Sequence, residues 1–413
     1  MNDTVRLRIE GRELTISWLD IITFLFFTRT SLINFFSFFN VPTFIIAGLI
    51  IISMTGFLIL YTLKHRRKIK WDGIILIVGA ALFFAITLRL HPEYEPRYLD
   101  IYNGGRFSAK AVFNVGAAIY AYYIIRLYEQ DADRLYRLFN LIPYVLFCGN
   151  LVLIFSRNSE YRMDFGYHMA MAGILFIAQY LYQKRRPLLY LSLLCMLLGI
   201  LYGSRACIVV FCFFVIIYFV WDTELNPRKI LLFVMGACAG IIISSSAIMM
   251  RIYQATRAIG FDSRTLYLLA TGEATSDNAR QKHLWPVLIH LLEKSSLLKM
   301  YGTFGDRYYL PSYYPYAHNI VLEMLLTFGK LIGGCILVVI ALNFLHVIFK
   351  QKSEAGLLTI AFGCFSVCRL FVSSSFWMEP YFWAFLAMLV NCKIISKKSL
   401  SRLNYYRAMR LLK

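Results

Sequence analysis

The chain has 413 residues, of which 59% are hydrophobic and only 16% are charged. A soluble protein would be about a quarter charged, and the apolar residues here form long runs, such as 208–220 and 230–243, so a soluble globular protein is excluded. The net charge of +20 would suggest a nucleic-acid partner in a soluble protein. Here Lys and Arg lie in short segments between apolar runs, which is typical of the cytoplasmic loops of a membrane protein.

Runs of roughly 20 apolar residues cross a bilayer as helices. The sequence predicts about twelve such spans, which in chain order lie near 16–37, 43–63, 73–90, 108–128, 138–156, 164–182, 188–202, 206–221, 230–250, 319–349, 355–372 and 380–396. The first is interrupted by Asp20 and Arg29, which are too far apart for a close contact along one helix. The tenth is longer than one crossing, so its first turns are expected to lie along the outer interface.

The basic segments predict the orientation of the chain. Residues 64–70 read KHRRKIK, residues 184–186 read KRR, and the C-terminal tail is also basic. If both termini are cytoplasmic, alternate loops bring all of these segments to the cytoplasmic side. Both termini are therefore predicted to be cytoplasmic.

This orientation divides the chain into three parts. Residues 1–250 hold nine predicted spans, 251–317 form one large external loop, and 318–413 hold three spans and a basic cytoplasmic tail. Within the loop, residues 279–294 have helical periodicity. The apolar face of that predicted helix comprises Leu284, Val287, Leu288 and Leu291.

Several classes of site have no support in the sequence. All nine cysteines lie within or at the ends of apolar segments, so neither a disulfide framework nor a zinc site is expected. The N-terminal residues lack the order of a cleaved signal peptide. No phosphate loop, GxSxG elbow or HExxH motif occurs. The expectation is a chain without cofactor, metal or nucleic-acid partner, embedded in a lipid bilayer.

Arginines on the predicted outer side are candidates for binding phosphate. Arg205 lies in a short turn between spans seven and eight, and Arg264 and Arg280 lie in the external loop. A guanidinium group binds phosphate oxygens in a bidentate manner, and ionisable groups near membrane depth are functional candidates. The alternative is ordinary snorkelling to lipid headgroups. The tight turn leaves Arg205 little freedom to snorkel, which favours a functional role there.

His318 ends an external stretch rich in tyrosine and opens the tenth span. A neutral imidazole can accept a proton from a sugar hydroxyl, although an interfacial histidine at a helix start is the simpler interpretation. Tyr313 and Tyr316 could stack on sugars or belong to the aromatic belt of the interface. On a continuous helix Glu323 would lie about 140° from His318, so it is not an obvious partner.

Four motifs resemble the O-antigen polymerase (Wzy) and O-antigen ligase superfamily. They are YGSRA at 202–206 before a span, RQKHLW at 280–285, YGTFG at 301–305, and AHNIVLEMLLTFG at 317–329 followed by LIGG. The matches occur in the expected order within 200–335, and the rest of the chain is similar in hydropathy alone. Lys330 and Cys207 depart from the pattern, which has small or apolar residues there.

The resemblance implies an all-α polytopic fold with about twelve spans and one large external loop, of the GT-C-like class. It implies an inverting, metal-independent glycosyl transfer from a polyprenyl-diphosphate-linked glycan at the outer leaflet of a bacterial cytoplasmic membrane. Arg205 and Arg280 would bind the diphosphate, with Arg264 as a further candidate, and His318 would be the general base. Four residues would be candidates for lining a substrate groove: Tyr313, Tyr316, Asn319 and Glu323.

The leading functional hypothesis is a polymerase that joins lipid-linked repeat units of O-antigen, capsule or exopolysaccharide. A chain-length regulator is the protein partner that the resemblance implies. The motifs do not separate the polymerase from a ligase that transfers the glycan to lipid A core or another acceptor. A flippase without enzymatic activity is the alternative from another class, but it predicts charges deep in a central cavity and repeated halves, and the sequence shows no repeat.

Overall fold

A computed structural model describes most of the chain. The described residues are 4–9, 12–65, 69–94, 109–155, 163–203, 206–222, 245–258, 263–272, 283–311 and 316–393, with isolated positions between 224 and 236. Contacts divide the chain into two compact units. Unit 1 comprises Met1–Ile69, Leu127–Ala274 and Ser353–Ala361, and unit 2 comprises Lys70–Arg126, Thr275–Lys352 and Phe362–Lys413.

The described part is mainly helical. In chain order the helices are α1 (Trp18–Phe38), α2 (Thr43–Lys64), α3 (Trp71–Leu90), α4 (Ala109–Arg126), α5 (Ala132–Phe139), α6 (Ile142–Phe155), α7 (Met163–Gln183), α8 (Arg186–Tyr202), α9 (Ala206–Trp221), α10 (Ser246–Ala258), α11 (Arg264–Ala270), α12 (Trp285–Lys294), α13 (Gly305–Tyr309), α14 (Ile320–Phe328), α15 (Lys330–Lys350), α16 (Glu354–Val372) and α17 (residues 380–393). A single 3₁₀ turn, Pro92–Tyr94, follows α3.

One hairpin departs from the predicted all-α fold. Strands β1 (Thr4–Ile9) and β2 (Arg12–Ser17) pair antiparallel, with Thr4 opposite Ser17 and Ile9 opposite Arg12. The sequences TVRLRI and RELTIS alternate between apolar and polar residues, and a period of two is typical of a strand. This alternation, rather than hydropathy alone, identifies the hairpin.

Six helical segments of the described ranges are long and apolar enough to cross a bilayer. They are Trp18–Phe38, Thr43–Lys64, Trp71–Leu90, Ala132–Ile154, Lys330–Lys350 and Glu354–Val372. Helices α8 and α9 are apolar but shorter. These segments make the chain a polytopic, mainly helical membrane protein. A helix lies at each of the first eight predicted spans and at the last two, while the total of twelve crossings stays a prediction.

The tenth predicted span is not one helix. The helix that was expected over 319–349 is divided into α14 and α15 by Gly329, which has a φ of +81°. This left-handed conformation favours glycine, and a Cβ there would approach the backbone carbonyl carbon of Leu298 to 3.2 Å. Hydropathy continues across the break, which is why the sequence predicted a single span.

The predicted boundary at residue 250 falls inside a helix. Helix α10 crosses it because Met249 and Tyr253 lie one turn apart and pack in one apolar cluster with Ile200, Leu266 and Ala270. The rest of the predicted ninth span lies largely outside the described residues. Helix α12 lies within the predicted helix at 279–294, but Leu292 is buried on its apolar face and Val287 is exposed.

Asp20, which interrupts the first predicted span, forms a buried polar contact in unit 1. Its carboxylate closes a capping box with Ser17 at the start of α1. The guanidinium of Arg134 on α5 donates to it from Nε at 2.9 Å and from a terminal nitrogen at 2.6 Å, and the Tyr128 hydroxyl donates at 3.0 Å. A buried carboxylate needs such partners, so Asp20 ties α1 to the segment around α5.

We expect Arg134→Ala to destabilise the protein by about 3 kcal/mol, because it leaves the Asp20 carboxylate buried without its cation. The measurement is the thermal unfolding midpoint of the detergent-purified chain. Arg137→Ala on the same helix is the matched control, since Arg137 is exposed. Equal midpoints for the two variants would show that the Asp20 contact does not stabilise the fold.

Candidate functional site

His318 and the residues around it form the candidate site in unit 2. His318 adopts a left-handed conformation with a φ of +51° and is only 7% exposed. Such a conformation is strained for a residue with a side chain, and strained residues cluster at functional sites. His318 therefore lies before the helix rather than on its first turn, because α14 begins at Ile320.

The His318 ring is oriented by the end of α16. Its Nδ1 lies 3.0 Å from the carbonyl oxygen of Val372. A carbonyl only accepts hydrogen bonds, so Nδ1 carries the proton and the neutral ring has its basic lone pair on Nε2. This is the tautomer that a general base needs if Nε2 faces the acceptor.

Tyr316 supports the same arrangement. Its ring centroid lies 4.2 Å from that of His318, and its hydroxyl donates to the carbonyl oxygen of Ser373 at 2.6 Å. Successive carbonyls at the end of α16 therefore hold two aromatic side chains side by side. The contact orders Tyr316, while its predicted role in a substrate groove stays a prediction.

Asn319 and Glu323 are engaged in contacts within the fold. Asn319 is the N-cap of α14, and its side-chain oxygen accepts from the N–H groups of Val321 and Leu322. Glu323 is fully buried, and its carboxylate accepts from the hydroxyl of Ser375 and from the backbone N–H of Phe376 at 3.2 Å. Their predicted role in a substrate groove is not tested by these contacts.

Glu323 connects α14 to the turn after α16, residues 373–379. That turn also supplies the Ser373 carbonyl that orders Tyr316, and it directly follows Val372. Glu323 thus holds the peptide segment that orients His318, although the two side chains do not pair in the described contacts. The sequence predicted one helix containing both His318 and Glu323, and on such a helix this indirect connection cannot be seen.

Asp306 and Arg307, neighbours on α13, add a buried pair of opposite charges next to Glu323. They are 1% and 2% exposed, and the Arg307 guanidinium lies 3.6 Å from the centre of the Phe304 ring and 3.8 Å from the sulfur of Met378. Burial raises the pKa of Glu323 to about 8, the Asp306 carboxylate adds to this increase, and Arg307 opposes it. Burial also raises the pKa of Asp306.

An ion pair closes the turn after α16. Arg369, one turn before the end of α16, has its Nε 2.8 Å from a carboxylate oxygen of the fully buried Glu379. The Arg369 guanidinium thus balances a buried carboxylate.

Arg264 lies in unit 1 and is exposed at the start of α11. Its two neighbours hold α11 against the end of α8: the Ser263 hydroxyl donates to the Leu201 carbonyl at 2.6 Å, and the Thr265 hydroxyl donates to the Gly203 carbonyl at 2.8 Å. Gly203 is two positions before Arg205 in the chain. The structure therefore places Arg264 beside the C-terminal end of α8.

Three predicted residues, Arg205, Arg280 and Tyr313, lie outside the described residues. The structure groups Tyr316, His318, Asn319 and Glu323 in unit 2. No family model, curated protein or solved structure matches the chain. The resemblance to the polymerase and ligase superfamily accordingly rests on the four sequence motifs.

The sequence did not predict the buried residues that surround this site. Asp306, Arg307, Ser375 and Glu379 look like ordinary loop and helix-end residues, and Ser375 and Glu323 are 52 positions apart. One signal was available in the sequence, because the charged pair at 306–307 follows the aromatic and glycine residues of 301–305 and precedes two tyrosines. The identity of the partners depends on tertiary packing and cannot be obtained from spacing.

We expect Glu323→Ala to lower the free energy of unfolding by about 3 kcal/mol, since it creates a cavity and leaves buried donors unpaired. Glu323→Gln keeps an acceptor oxygen for the same donors and is expected to lose less than half as much. Glu293→Ala, at an exposed position of α12, is the matched control. Thermal unfolding in detergent measures all three, and equal effects of Ala and Gln at 323 would contradict the anchoring role.

Glu323 also predicts a pH dependence. Its raised pKa means that the folded chain keeps a proton that the unfolded chain loses above its ordinary value of 4.5. The resulting stabilisation is fully present below 4.5 and is lost as the pH rises through about 8. The unfolding midpoint should therefore fall over this window, and Glu323→Gln should flatten the fall. An identical slope in wild type and variant would assign the effect to other groups.

Proposed function

We propose that the chain is a polysaccharide polymerase. It would transfer a growing glycan from one polyprenyl diphosphate to the next lipid-linked repeat unit, at the outer leaflet of a bacterial cytoplasmic membrane. The proposal combines the ordered sequence motifs with a helical membrane protein that carries a strained, oriented histidine. The observation that carries it is the Val372 carbonyl at Nδ1 of His318, because it selects the tautomer that can accept a proton at Nε2.

In the proposed reaction, a hydroxyl of the acceptor sugar attacks the anomeric carbon of the donor. The hydroxyl proton passes to Nε2 of His318 as the new glycosidic bond forms. The bond from the anomeric carbon to the diphosphate oxygen breaks, and the polyprenyl diphosphate leaves with the electron pair. Attack on the face opposite the leaving group inverts the configuration at that carbon.

The negative charge that develops on the diphosphate requires cations that are already in place. By resemblance, Arg205 and Arg280 would supply them, with Arg264 as a further contributor. Arginine suits this role because its planar guanidinium forms two parallel hydrogen bonds to a phosphate group. A diphosphate leaving group needs no nucleotide, which agrees with the lack of a phosphate loop in the sequence.

We expect His318→Ala to abolish the ladder of surface polysaccharide in a strain that lacks its own copy of the gene. General-base catalysis contributes about 100- to 10,000-fold to a rate, so single repeat units should remain. Arg205→Ala and Arg280→Ala are expected to give the same result by loss of diphosphate binding. The ladder is read on a gel, with protein amount measured by blotting.

His290→Ala is the matched control, because His290 is an exposed histidine on α12 and should leave the ladder intact. A normal ladder in His318→Ala would reject the general-base role. Long chains that accumulate on the carrier lipid would favour a ligase. Single repeats that never reach the outer leaflet in the deletion strain would favour a flippase.

A further inference from the structure

The loop between α12 and α13 exposes an apolar surface. Leu297, Leu298 and Met300 are 64%, 60% and 45% exposed, whereas the following residues from Tyr301 to Arg307 are buried. Large apolar side chains that cluster at the surface mark a contact with a partner or a membrane. We name residues 296–300 the apolar loop.

Backbone hydrogen bonds fix the apolar loop against the break between α14 and α15. The N–H of Leu331, in the first turn of α15, donates to the carbonyl of Leu297 at 3.0 Å. On the other side of the break, the N–H groups of Tyr301 and Gly302 donate to the last carbonyls of α14 at 2.9 and 3.2 Å. The position of the loop is therefore set by the first turn of α15.

Helix α15 is one of the candidate membrane spans. Its first turn exposes Leu331 and Ile332, and exposed apolar residues continue along it, among them Val338 and Leu342. In a spanning helix such residues face lipid acyl chains. Because the N–H of Leu331 donates to the Leu297 carbonyl, the apolar loop lies beside the first turn of α15 and extends its lipid-facing surface.

The positive charge of Lys299 agrees with a position of the loop at the membrane interface. Lys299 lies within the loop, and its ammonium is 5.1 Å from the centre of the Tyr301 ring. Tyr301 is buried, but an exposed lysine is typical of the boundary between headgroups and acyl chains, where its stem lies along apolar groups and its ammonium reaches water. An apolar loop with a single basic residue fits a bilayer surface better than a water-filled pocket.

We propose that the apolar loop, together with Leu331 and Ile332, inserts into the leaflet at which α15 begins and contacts lipid acyl chains. The partner is the bilayer itself rather than a protein. The loop anchors the break between the two helices at a fixed depth, because Leu297 is bonded to the first turn of α15 and the two residues that follow the loop, Tyr301 and Gly302, are bonded to the end of α14.

The anchor has a consequence for the candidate site. His318 precedes one end of α14, and Tyr301 and Gly302, directly after the apolar loop, are bonded to the other end. The nine residues of α14 span about 13 Å at 1.5 Å per residue. His318 is thus separated from the lipid-contacting loop by the length of α14. This consequence rests on the proposed function, whereas the lipid contact does not.

The test is photocrosslinking of the full chain in liposomes whose phospholipids carry an alkyne at the acyl-chain end. Benzoylphenylalanine is incorporated at Leu298 and, separately, at Met300. Val338 in the middle of α15 is the positive control, and the exposed Gln254 of α10 is the negative control. We expect lipid adducts at Leu298 and Met300 in yields comparable with Val338 and several-fold above Gln254.

Lipid adducts at Val338 without adducts at Leu298 and Met300 would overturn the proposal. So would adducts to protein at these two positions, which would show that another chain segment or a partner covers the loop. Each labelled protein is first checked for the wild-type unfolding midpoint, and two loop positions guard against a local disturbance at either. The polysaccharide ladder is measured separately, so a failure of the proposed function leaves the lipid result standing.

Discussion

The candidate site depends on the hydrogen bonds that the buried carboxyl group of Glu323 receives. A carboxyl group without water needs hydrogen-bond donors from the protein, and Glu323 receives them from Ser375 and Phe376. Both belong to the turn after α16, so this requirement fixes the turn relative to α14. The end of α16, adjoining that turn, orients His318 and Tyr316 through the carbonyls of Val372 and Ser373. The Val372 carbonyl thus orients the His318 imidazole, and the Glu323 carboxyl group, which does not pair with the imidazole in the described contacts, holds the adjoining turn in place.

The same rule governs the charges elsewhere in each unit. Charged residues in apolar helices are costly unless they find a partner of opposite charge. Asp20 forms an ion pair with Arg134 in unit 1, and Arg369 forms one with Glu379 in unit 2. Arg126, buried at the end of α4, pairs with Asp72 at the start of α3 at 2.6 Å and donates to Asn391 on α17. The Asp20–Arg134 and Asp72–Arg126 pairs join separate helices, and the Arg369–Glu379 pair joins α16 to the turn that follows it. The polar groups therefore help to determine which apolar helices become neighbours, whereas apolar surfaces alone discriminate weakly.

The sequence predicted the helices better than the site because the two depend on different physics. Hydropathy reports whether a segment can cross a bilayer, and helices occur at most of the predicted spans. It does not report a break such as Gly329, where a single φ of +81° divides a continuous apolar stretch. His318 was chosen for its chemistry and its place in a motif, and its catalytic role stays a prediction. The contribution of Glu323 was missed because its donors lie more than fifty positions away and because a helix was assumed to include His318.

Helix α14 connects the two parts of unit 2 that meet substrate in the proposed reaction and lipid in the proposed anchor. Its first carbonyls follow the strained His318, and its last carbonyls accept from Tyr301 and Gly302 beside the apolar loop. A short helix with both ends bonded to other segments moves as one body, since helix hydrogen bonds resist a change in its length. The depth of the loop in the leaflet and the position of the imidazole are therefore coupled through a rigid element. In the proposed reaction, the diphosphate of the lipid-linked substrate lies at a fixed height above the acyl chains. If the loop contacts the same acyl chains, it also sets the height of the His318 imidazole relative to that diphosphate.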